Sequence, residues 1–461
     1  MIDYLMHICL PILLVVCIVV AAAIDARRLA VSLSLIGLMV APGRITRFSG
    51  DSVSGVAESV PEISVFLVVT VVMALMSFHY RMHHRVPVTL VLLGGYFLLG
   101  MAFFWDANVR SWAGIVEYLL APLAWMAGAF LFHFTRESVR NAVVVAGAVL
   151  AALVIQVFVT GVQLLGGGFN ARAADSEVAI QGRVNGTVGH PNTLGKIAFL
   201  ALLILLPLTR HEDRRVVRLA TAGLVSCFFL FIVTGGRANF IAALLALAAW
   251  ALLLPRNYRS PLRWLYWFVT GIAAIAAALT LSARFEEDPL GGSRSELLDA
   301  ALRAIPNYLM VGMGPNQYLP TMTVIDPAAA RAGLPVHNSV LLATLELGII
   351  GGIMLFGPWI WLTLRSVLAF LRGQGNDYSR VGVCSVAPIL VIALTGYGMV
   401  ADGILPLWFI VLGLCDQGVR AVSARSQRSR QAIVSRPSQE QTRGHRGDVA
   451  FSVRTVRGGQ P

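Results

Sequence analysis

A long apolar segment begins at His337 and reads HNSVLLATLELGIIGGIMLFGPWIWLTLRSVLAFL (337–371), with Glu346 and Arg365 as its only charged residues. The 34 residues after His337 would form a straight helix of about 50 Å at about 1.5 Å per residue, whereas a hydrocarbon core is about 30 Å thick. One straight span is therefore excluded. The glycines predict a break between a partly buried half-helix and a spanning helix, at Gly348, Gly351 and Gly352.

A polar segment, residues 282–337, lies directly before this apolar run. It carries Arg294 and Arg303 near a predicted short amphipathic helix, contains the turn-rich GMGPNQY (312–318) and ends at His337. Arginine binds phosphate oxygens, and histidine transfers protons near neutral pH. Non-helical backbone at the membrane face is tolerated only where it lines a cavity, so the sequence predicts a functional site here.

The composition is that of a polytopic inner-membrane protein. Of 461 residues, 57% are hydrophobic and only 13% are charged, whereas soluble domains are about one quarter charged. Apolar stretches of about 18 residues or more recur, and without strand-like alternation they predict helices rather than a barrel. The five cysteines lie in apolar segments without CxxC or Cys/His spacing, which argues against a metal site or a disulfide framework.

The positive charge predicts the topology. The net charge is +12 and comes almost wholly from arginine, since Lys196 is the only lysine. Basic loops fall on one side of the predicted membrane and the three polar insertions on the other. This predicts 12–14 transmembrane helices, with 13 favoured, the N-terminus outside and the C-terminus inside. The charge is thus interpreted as a topology signal rather than as a nucleic-acid site.

The chain divides into six predicted parts. They are N-terminal transmembrane helices (1–165), an outward loop (166–190), central transmembrane helices (191–281), the large outward loop (282–337), C-terminal transmembrane helices (338–420) and a basic disordered tail (421–461). The predicted spans include a short one at 29–41, the tenth at 264–281 and the twelfth at 381–400.

The start of the seventh span predicts an anion site. Pro191-Asn192 opens this helix, and the free N–H groups of its first turn, beside Arg183, would form an anion cradle. Lys196 lies one turn further in. Because a buried charge is rare in a membrane, we expect Lys196 to snorkel outward rather than to extend the cradle. His190 is either a further site residue or a polar residue at the helix entry.

The outward side collects arginines and histidines, namely Arg183, His190, Arg237, Arg294 and His337. The sequence contains no Walker loop, no HExxH, no GxSxG and no DxD-like acidic pair beside a metal-binding histidine, so energy-coupled and metal-hydrolase mechanisms have no support. Arginines with one histidine suit transfer from a phosphate-activated donor. Guanidinium groups would stabilise the departing diphosphate, and the histidine would accept a proton from an attacking hydroxyl. The alternative for Arg237 is an interfacial anchor.

Four short motifs carry a family resemblance: GRVNGTVGHPN (182–192), TGGRANFIAALLAL (234–247), SRSELLDAALRAIPNYLMVGMGPNQY (293–318) and HNSVLLATLELGIIGG (337–352). In this order, on one predicted face, they resemble the O-antigen ligase and polysaccharide polymerase family. The resemblance covers residues 182–352. It implies an all-helical GT-C-like fold with one large periplasmic loop, and it implies no metal and no nucleotide cofactor.

The resemblance also implies roles for individual residues. The arginines that match the family pattern would bind a diphosphate, and His337 would act as general base or orient the acceptor. Asn338 and Glu346 would support the site, with Glu346 folded back to orient His337, and His190 and Asn192 would contact substrate. The matching arginines are Arg183 (with Arg172 as a weaker alternative), Arg237 and Arg294.

The implied function is a metal-independent glycosyltransferase of the bacterial inner membrane with a periplasmic active face. It would move an undecaprenyl-diphosphate-linked oligosaccharide onto a glycan or lipid A–core acceptor, as a polymerase or a ligase. Membrane lipids, a chain-length regulator and export proteins would be further partners, and nucleic acid would not. The alternatives are a flippase of the same lipid-linked glycans, which should show internal repeats or paired broken helices, and a non-catalytic envelope scaffold.

Overall fold

The structure is a computed structural model. It describes residues 10–40, 44–47, 62–79, 85–166, 183–188, 190–255, 267–268, 271, 294–400 and 403–434. Three features of the sequence analysis lie outside these residues: Arg172, most of the tenth span at 264–281, and the first part of the large loop before Arg294.

The described residues are predominantly helical. The N-terminal half contains α1 (Leu10–Ala23), α2 (Arg27–Val40), α3 (Val65–His79), α4 (Val88–Phe103), α5 (Val109–Glu137), α6 (Val139–Leu164), α7 (Pro191–Leu208), α8 (Arg214–Thr234) and α9 (Arg237–Leu253). The C-terminal half contains α10 (Arg294–Tyr308), α11 (Tyr318–Ile325), α12 (Pro327–Ala332), α13 (Ser339–Leu371), α14 (Asp377–Cys384), α15 (Val386–Thr395) and α16 (Ile404–Val434).

A small antiparallel sheet departs from the all-helical expectation. Strand β1 (Arg44–Arg47) pairs with β2 (Glu62–Ser64), with Arg44 opposite Ser64. Each strand contains one isoleucine, a residue type that is enriched in strands. The two strands lie between α2 and α3 in the chain and leave the helical character of the fold unchanged.

Seven of the described helical segments are long and apolar enough to cross a membrane: 109–137, 139–164, 191–208, 214–234, 339–371, 377–395 and 404–421. Four shorter apolar helices are Pro11–Ala23, Val65–His79, Val88–Phe103 and Arg237–Leu253. The predicted short span at 29–41 corresponds to α2, which has 14 residues. The chain is thus a membrane protein, and the number of 13 spans stays a prediction.

The predicted break in the 337–371 segment is confirmed. Gly348 has φ 69° and ψ 173° inside α13, so a half-helix precedes it and a longer helix follows. The break removes the helical partners of the preceding carbonyl groups, and neighbouring segments replace them. The Met313 and Gly314 N–H groups donate to Leu345 O and Glu346 O at 2.8 and 2.9 Å, respectively. The Tyr96 hydroxyl donates to Leu347 O at 2.6 Å.

The large loop contains three helices, α10, α11 and α12, where the sequence predicted a single amphipathic helix. Its backbone is hydrogen-bonded to the break in α13, and we call this contact the clamp. The Ile349 N–H donates to Leu309 O at 2.7 Å, which closes the clamp from the other direction. Gly312 also has a positive φ, 77°, and a Cβ there would overlap Glu346 O. Two glycines therefore let the loop backbone and the helix backbone lie in direct contact.

The helix α7 lies at the centre of the bundle, and its residues from Leu194 to Leu208 are all buried. Helices α5 and α16 pack against each other most extensively, crossing at Gly128 and Gly413. A Cβ at either glycine would overlap backbone of the other helix, so the two helices approach without intervening side chains. The central position of α7 fixes where its first residue, Pro191, meets the surrounding helices.

The end of the bundle at which α7 terminates is held by ion pairs between basic loops. Arg27 pairs with Glu137 at 2.8 Å, and Arg210 pairs with Asp377 at 3.1 Å. These loops were predicted to lie on the same side of the membrane, and in the structure they contact each other. The loop before α7 and the turn between α8 and α9 meet at the opposite end.

Two predicted boundaries are wrong. The twelfth span was expected at 381–400, but the helix ends at Thr395, because the sequence Gly396-Tyr397-Gly398 does not favour continued helix. The tail was expected to be disordered from residue 421, whereas α16 continues to Val434. No proline or glycine interrupts residues 421–434, and Arg, Gln and Ala are good helix formers. Residues 435–461 lie outside the described residues.

Candidate anion-binding site

A small positively charged pocket lies where α7 and α9 begin and α15 ends. Its volume is about 110 Å³, below the roughly 300 Å³ at which pockets for drug-sized ligands start. Four cationic side chains line it, from Arg183, Lys196, Arg237 and Arg294. The remaining lining residues that the structure describes are uncharged: Asn192, Gly235, Ala238, Asn239, Ile392, Thr395 and Gly396. The pocket therefore suits a small anion.

Arg183 is held rigidly on one wall. Its Nε donates to Thr234 O at 2.7 Å, and its Nη2 donates to Asn192 Oδ1 at 2.7 Å. The chain after Arg183 is in turn fixed to α6, where the Gln163 Oε1 accepts from the Asn185 and Gly186 N–H groups at 3.1 and 3.0 Å. Two hydrogen bonds from a planar guanidinium leave its position little freedom.

The start of α7 is capped by a side chain, which the predicted anion cradle there did not include. At α7, the Asn192 N–H donates to His190 Nδ1 at 3.1 Å, so the first turn is capped. The N-cap of α9 is Gly236, which has no side chain to cap the helix. Ala238 and Asn239, in the first turn of α9, line the pocket. The positive end of the helix dipole favours an anion here.

Asn239 connects the two helix starts and was not identified from the sequence. It is buried, and its Nδ2 donates to Asn192 O at 3.1 Å. Gly195 packs against this side chain, since a Cβ at Gly195 would lie 3.0 Å from Asn239 Cγ. An asparagine two residues after an arginine at a predicted helix start was the available sequence signal.

Lys196 does not snorkel outward. Only 8% of its surface is exposed, and it lines the pocket beside the three arginines. Its Nζ lies against the turn after α15, 3.9 Å from a Cβ built on Gly396. The alternative considered from the sequence, that Lys196 extends the cradle, describes its position.

His337 lies next to the pocket, at the start of the half-helix, although it does not line the pocket. Its ring packs edge-on against Tyr397, with ring centroids 5.3 Å apart. Its Nδ1 is buried and has no hydrogen-bond partner among the described residues. Burial, with the positive charges of Arg294 and Lys196, lowers the pKa of His337 from 6.5 to about 4. His337 is therefore neutral at pH 7.

His190 is neutral for similar reasons. Burial lowers its pKa from 6.5 to about 4, with smaller contributions from the charges of Lys196, Arg183 and His337. Its side chain caps α7, which is the helix-entry role that was considered from the sequence. The electrostatic influence of these residues on one another shows that the structure brings them together.

Comparison with known protein families gives independent information about this chain. Residues 222–356 match the family model described as O-antigen ligase. The match covers 135 of the 461 residues and supports assignment of the chain to the O-antigen ligase/polymerase family. No curated protein matches the chain. The family assignment indicates a membrane protein with a glycan-transfer role of the ligase or polymerase type, acting on a lipid-linked glycan.

The family match covers only part of the pocket. Arg237, Arg294 and His337 lie inside residues 222–356, whereas Arg183, Lys196 and the turn at 396–399 lie outside. The residues outside reach the site through the packing of α7 and α15 against α9. The site thus combines the matched region with helices before and after it.

Two predicted site residues have other contacts. The Asn338 Oδ1 accepts from the Leu341 N–H at 3.0 Å, so this side chain caps α13. The prediction that Glu346 orients His337 is wrong: its Oε2 accepts from the Tyr118 hydroxyl at 2.8 Å, and its carboxylate also accepts from backbone N–H groups of the 312–318 loop. Glu346 holds the loop clamp because the half-helix continues straight from Asn338 and carries Glu346 away from His337.

Arg294 and Arg303 lie on the same helix, α10, but in different settings. Arg294 is its first residue and lines the pocket. Arg303 pairs with Asp326 at 2.7 Å on the surface of the loop and does not line the pocket. The two arginines therefore offer a matched comparison between a pocket cation and a surface cation of the same element.

Proposed function

We propose that this O-antigen ligase family member transfers a glycan from an undecaprenyl diphosphate carrier to a hydroxyl acceptor at the periplasmic face of a bacterial inner membrane. The observation that carries the proposal is the pocket of four cations, without an acidic residue among its described lining, beside the neutral His337. A small cationic pocket suits the diphosphate, and a neutral imidazole beside it suits an acceptor hydroxyl.

The diphosphate is the leaving group of the proposed reaction. The bond between the anomeric carbon and the phosphate oxygen breaks, and the electron pair leaves with the diphosphate. Arg183, fixed by its two hydrogen bonds, and the N-terminal end of α9 are positioned before the substrate binds. Donors that are already oriented stabilise charge as it develops, without a cost for reorganising during the reaction.

The acceptor hydroxyl forms the new bond to the anomeric carbon and loses its proton. His337 receives this proton through Nε2, since its Nδ1 is enclosed. A bound diphosphate offsets the charges of Arg294 and Lys196, which raises the pKa of His337 toward its ordinary value. The donor thereby makes the imidazole a better base when it is needed. The proton then passes to water.

The proposed orientation rests on the two ends of the bundle. The basic loops contact each other at one end, and the cationic pocket lies at the other. The end with the basic loops is assigned to the cytoplasm by the charge rule for membrane proteins. The pocket then opens toward the periplasm, where lipid-linked glycans, a chain-length regulator and export proteins would be its partners.

The experiment is to delete the gene and compare the surface glycan on a gel after complementation with wild type, His337→Ala, Arg294→Ala or Arg303→Ala. We expect wild type and Arg303→Ala to restore the glycan and the other two variants to fail at equal protein level. Arg303 is the matched control, because its removal takes the same charge from the same helix but leaves the pocket intact.

The deletion phenotype separates polymerase from ligase. A single repeat attached to lipid A–core indicates a polymerase, whereas long chains stranded on the carrier indicate a ligase. Loss of a secreted polymer with intact lipopolysaccharide indicates exopolysaccharide synthesis. Full rescue by both His337→Ala and Arg294→Ala would refute the catalytic assignment and favour a scaffold.

A further inference from the structure

Lys196 is a buried cation for which the structure shows no carboxylate partner among the described residues. It lies in the second turn of α7, with 8% of its surface exposed. No ion pair or hydrogen bond joins it to another described side chain, and it lines the pocket with the three arginines. A charge inside a membrane protein is costly unless it is compensated, so such a residue marks a functional site.

The surroundings compensate this charge only in part. Lys196 lies against the turn at 396–398, which follows the C-terminal end of α15. The C-terminal end of a helix carries partial negative charge and favours a cation, but its effect is smaller than that of a full counter-ion. The open side of Lys196 is the pocket, where the three arginines exclude another cation.

We propose that Lys196 is a further phosphate-binding residue, which supplies the membrane-side contact to the diphosphate and is held in place by the 396–399 turn. The proposal rests on the proposed function, because it takes the diphosphate as the pocket's ligand. The ammonium group is a compact point charge and completes a cradle whose other three cations are planar guanidinium groups.

The 396–399 turn also connects Lys196 to His337. The Ser339 hydroxyl donates to Gly396 O at 2.6 Å and accepts from the Met399 N–H at 3.2 Å. Tyr397, in the middle of the turn, packs against the His337 ring. The turn therefore fixes the separation between the phosphate-binding cation and the residue that accepts the proton.

Gly398 allows Lys196 to take this position. A Cβ at Gly398 would overlap Lys196 Nζ and lie 3.1 Å from its Cε. A flexible side chain can move away from such a clash, so Gly398→Ala should displace the ammonium group without unfolding the helices. This variant tests the position of Lys196 while its charge is retained.

The test measures binding of inorganic diphosphate to the purified full chain in lipid nanodiscs, by calorimetry, for wild type and four variants. We expect Lys196→Met to weaken binding about tenfold or more and Gly398→Ala to weaken it several-fold. Arg303→Met, which removes a surface cation paired with Asp326, should bind as wild type does. The double variant Lys196→Met/Gly398→Ala should bind no more weakly than Lys196→Met alone, because both changes remove the same contact.

The thermal stability of the ligand-free protein separates a binding role from a structural one. Removing a buried cation that has no ion-pair partner among the described residues should leave the melting temperature of Lys196→Met unchanged or higher, while the stabilisation by added diphosphate shrinks. A lower melting temperature with unchanged diphosphate affinity would overturn the proposal, as would additive losses in the double variant. Failure of the wild type to bind diphosphate would instead refute the proposed donor.

Discussion

Replacing Gly348 with alanine should open the clamp between the large loop and the half-helix. The φ of 69° and ψ of 173° lie in a region essentially restricted to glycine, where another residue costs about 1–3 kcal/mol. The new Cβ would also lie 2.7 Å from Met310 C and 2.8 Å from Val311 C, so the loop must move. Movement breaks the three backbone hydrogen bonds of the clamp, each worth about 0.5–1.5 kcal/mol. The total cost of the substitution is about 3–7 kcal/mol, and it falls on the contact between the loop and the half-helix.

Amide hydrogen exchange measures this loss directly. The Met313 and Gly314 amides, which donate to the half-helix, should exchange through local opening about 100-fold faster or more in Gly348→Ala, because each 1.4 kcal/mol changes an equilibrium tenfold. Gly357→Ala is the matched control on the same helix. A Cβ at Gly357 meets only Thr89, at 3.9 Å, and alanine is the better helix former.

Equal exchange at these amides in Gly348→Ala and Gly357→Ala would refute the reasoning. It would mean that α13 tolerates a side chain at the break and that the loop is held by other contacts. Transfer activity should fall with the exchange protection, since the half-helix starts at His337. If Gly348→Ala exchanges fast but keeps its transfer activity, the contact between the loop and the half-helix is not needed for the site to work.

Three further predictions concern the site. Arg294→Lys should reduce transfer at least tenfold while Arg303→Lys leaves it unchanged, because an ammonium group lacks the fork that binds two phosphate oxygens; equal effects would indicate long-range electrostatics. The acid limb of the kcat/KM profile should lie near pH 4, because it reports the pKa of His337. Arg294→Met should move this limb to higher pH, because it removes a positive charge that lowers the pKa of His337. An acid limb at pH 6.5 in both the wild type and Arg294→Met would contradict the assignment. The free energy of unfolding should fall as the pH drops from about 6.5 to about 4, because the unfolded chain then binds protons at His337 and His190 that the folded chain does not; flat thermal denaturation across this range would contradict the burial of the two rings.

The break in α13 was predictable because the apolar segment, as one straight helix, would be longer than the membrane is thick. The cluster of Gly348, Gly351 and Gly352 offers backbone freedom near the middle of the segment, and the structure has the break at Gly348. The grouping of Arg183, Arg237 and Arg294 was predictable from alternating topology alone. Such reasoning assigns residues to a side of the membrane, and packing of the helix starts then brings them together.

The partner of Glu346 was not predictable from the sequence. Its distance along the chain from His337 suggested a contact, but its partner, Tyr118, lies on α5, far away in sequence. The direction of a side chain after a helix break depends on which segment fills the gap. Here the 312–318 loop fills it, and no local pattern identifies the tyrosine that completes the contact.

The position of Lys196 was missed for a related reason. The general rarity of buried charge favoured snorkelling, and the residues that accommodate it, Gly396 and Gly398, lie in a turn that was predicted to be helix. The burial of a lysine can be explained only when the residues around it are known. Its status as the single lysine among many arginines was the signal available in the sequence.

The excess of positive charge in the pocket has a consequence for turnover. The donor's diphosphate is bonded at both ends and carries two negative charges, whereas the released carrier diphosphate, bonded at one end, gains a further ionisable oxygen. Four cations without an opposing acid among the described lining residues should hold the spent carrier more tightly than the incoming donor. Product departure would then limit the rate, and an enzyme that removes phosphate from the spent carrier would accelerate transfer without touching this protein.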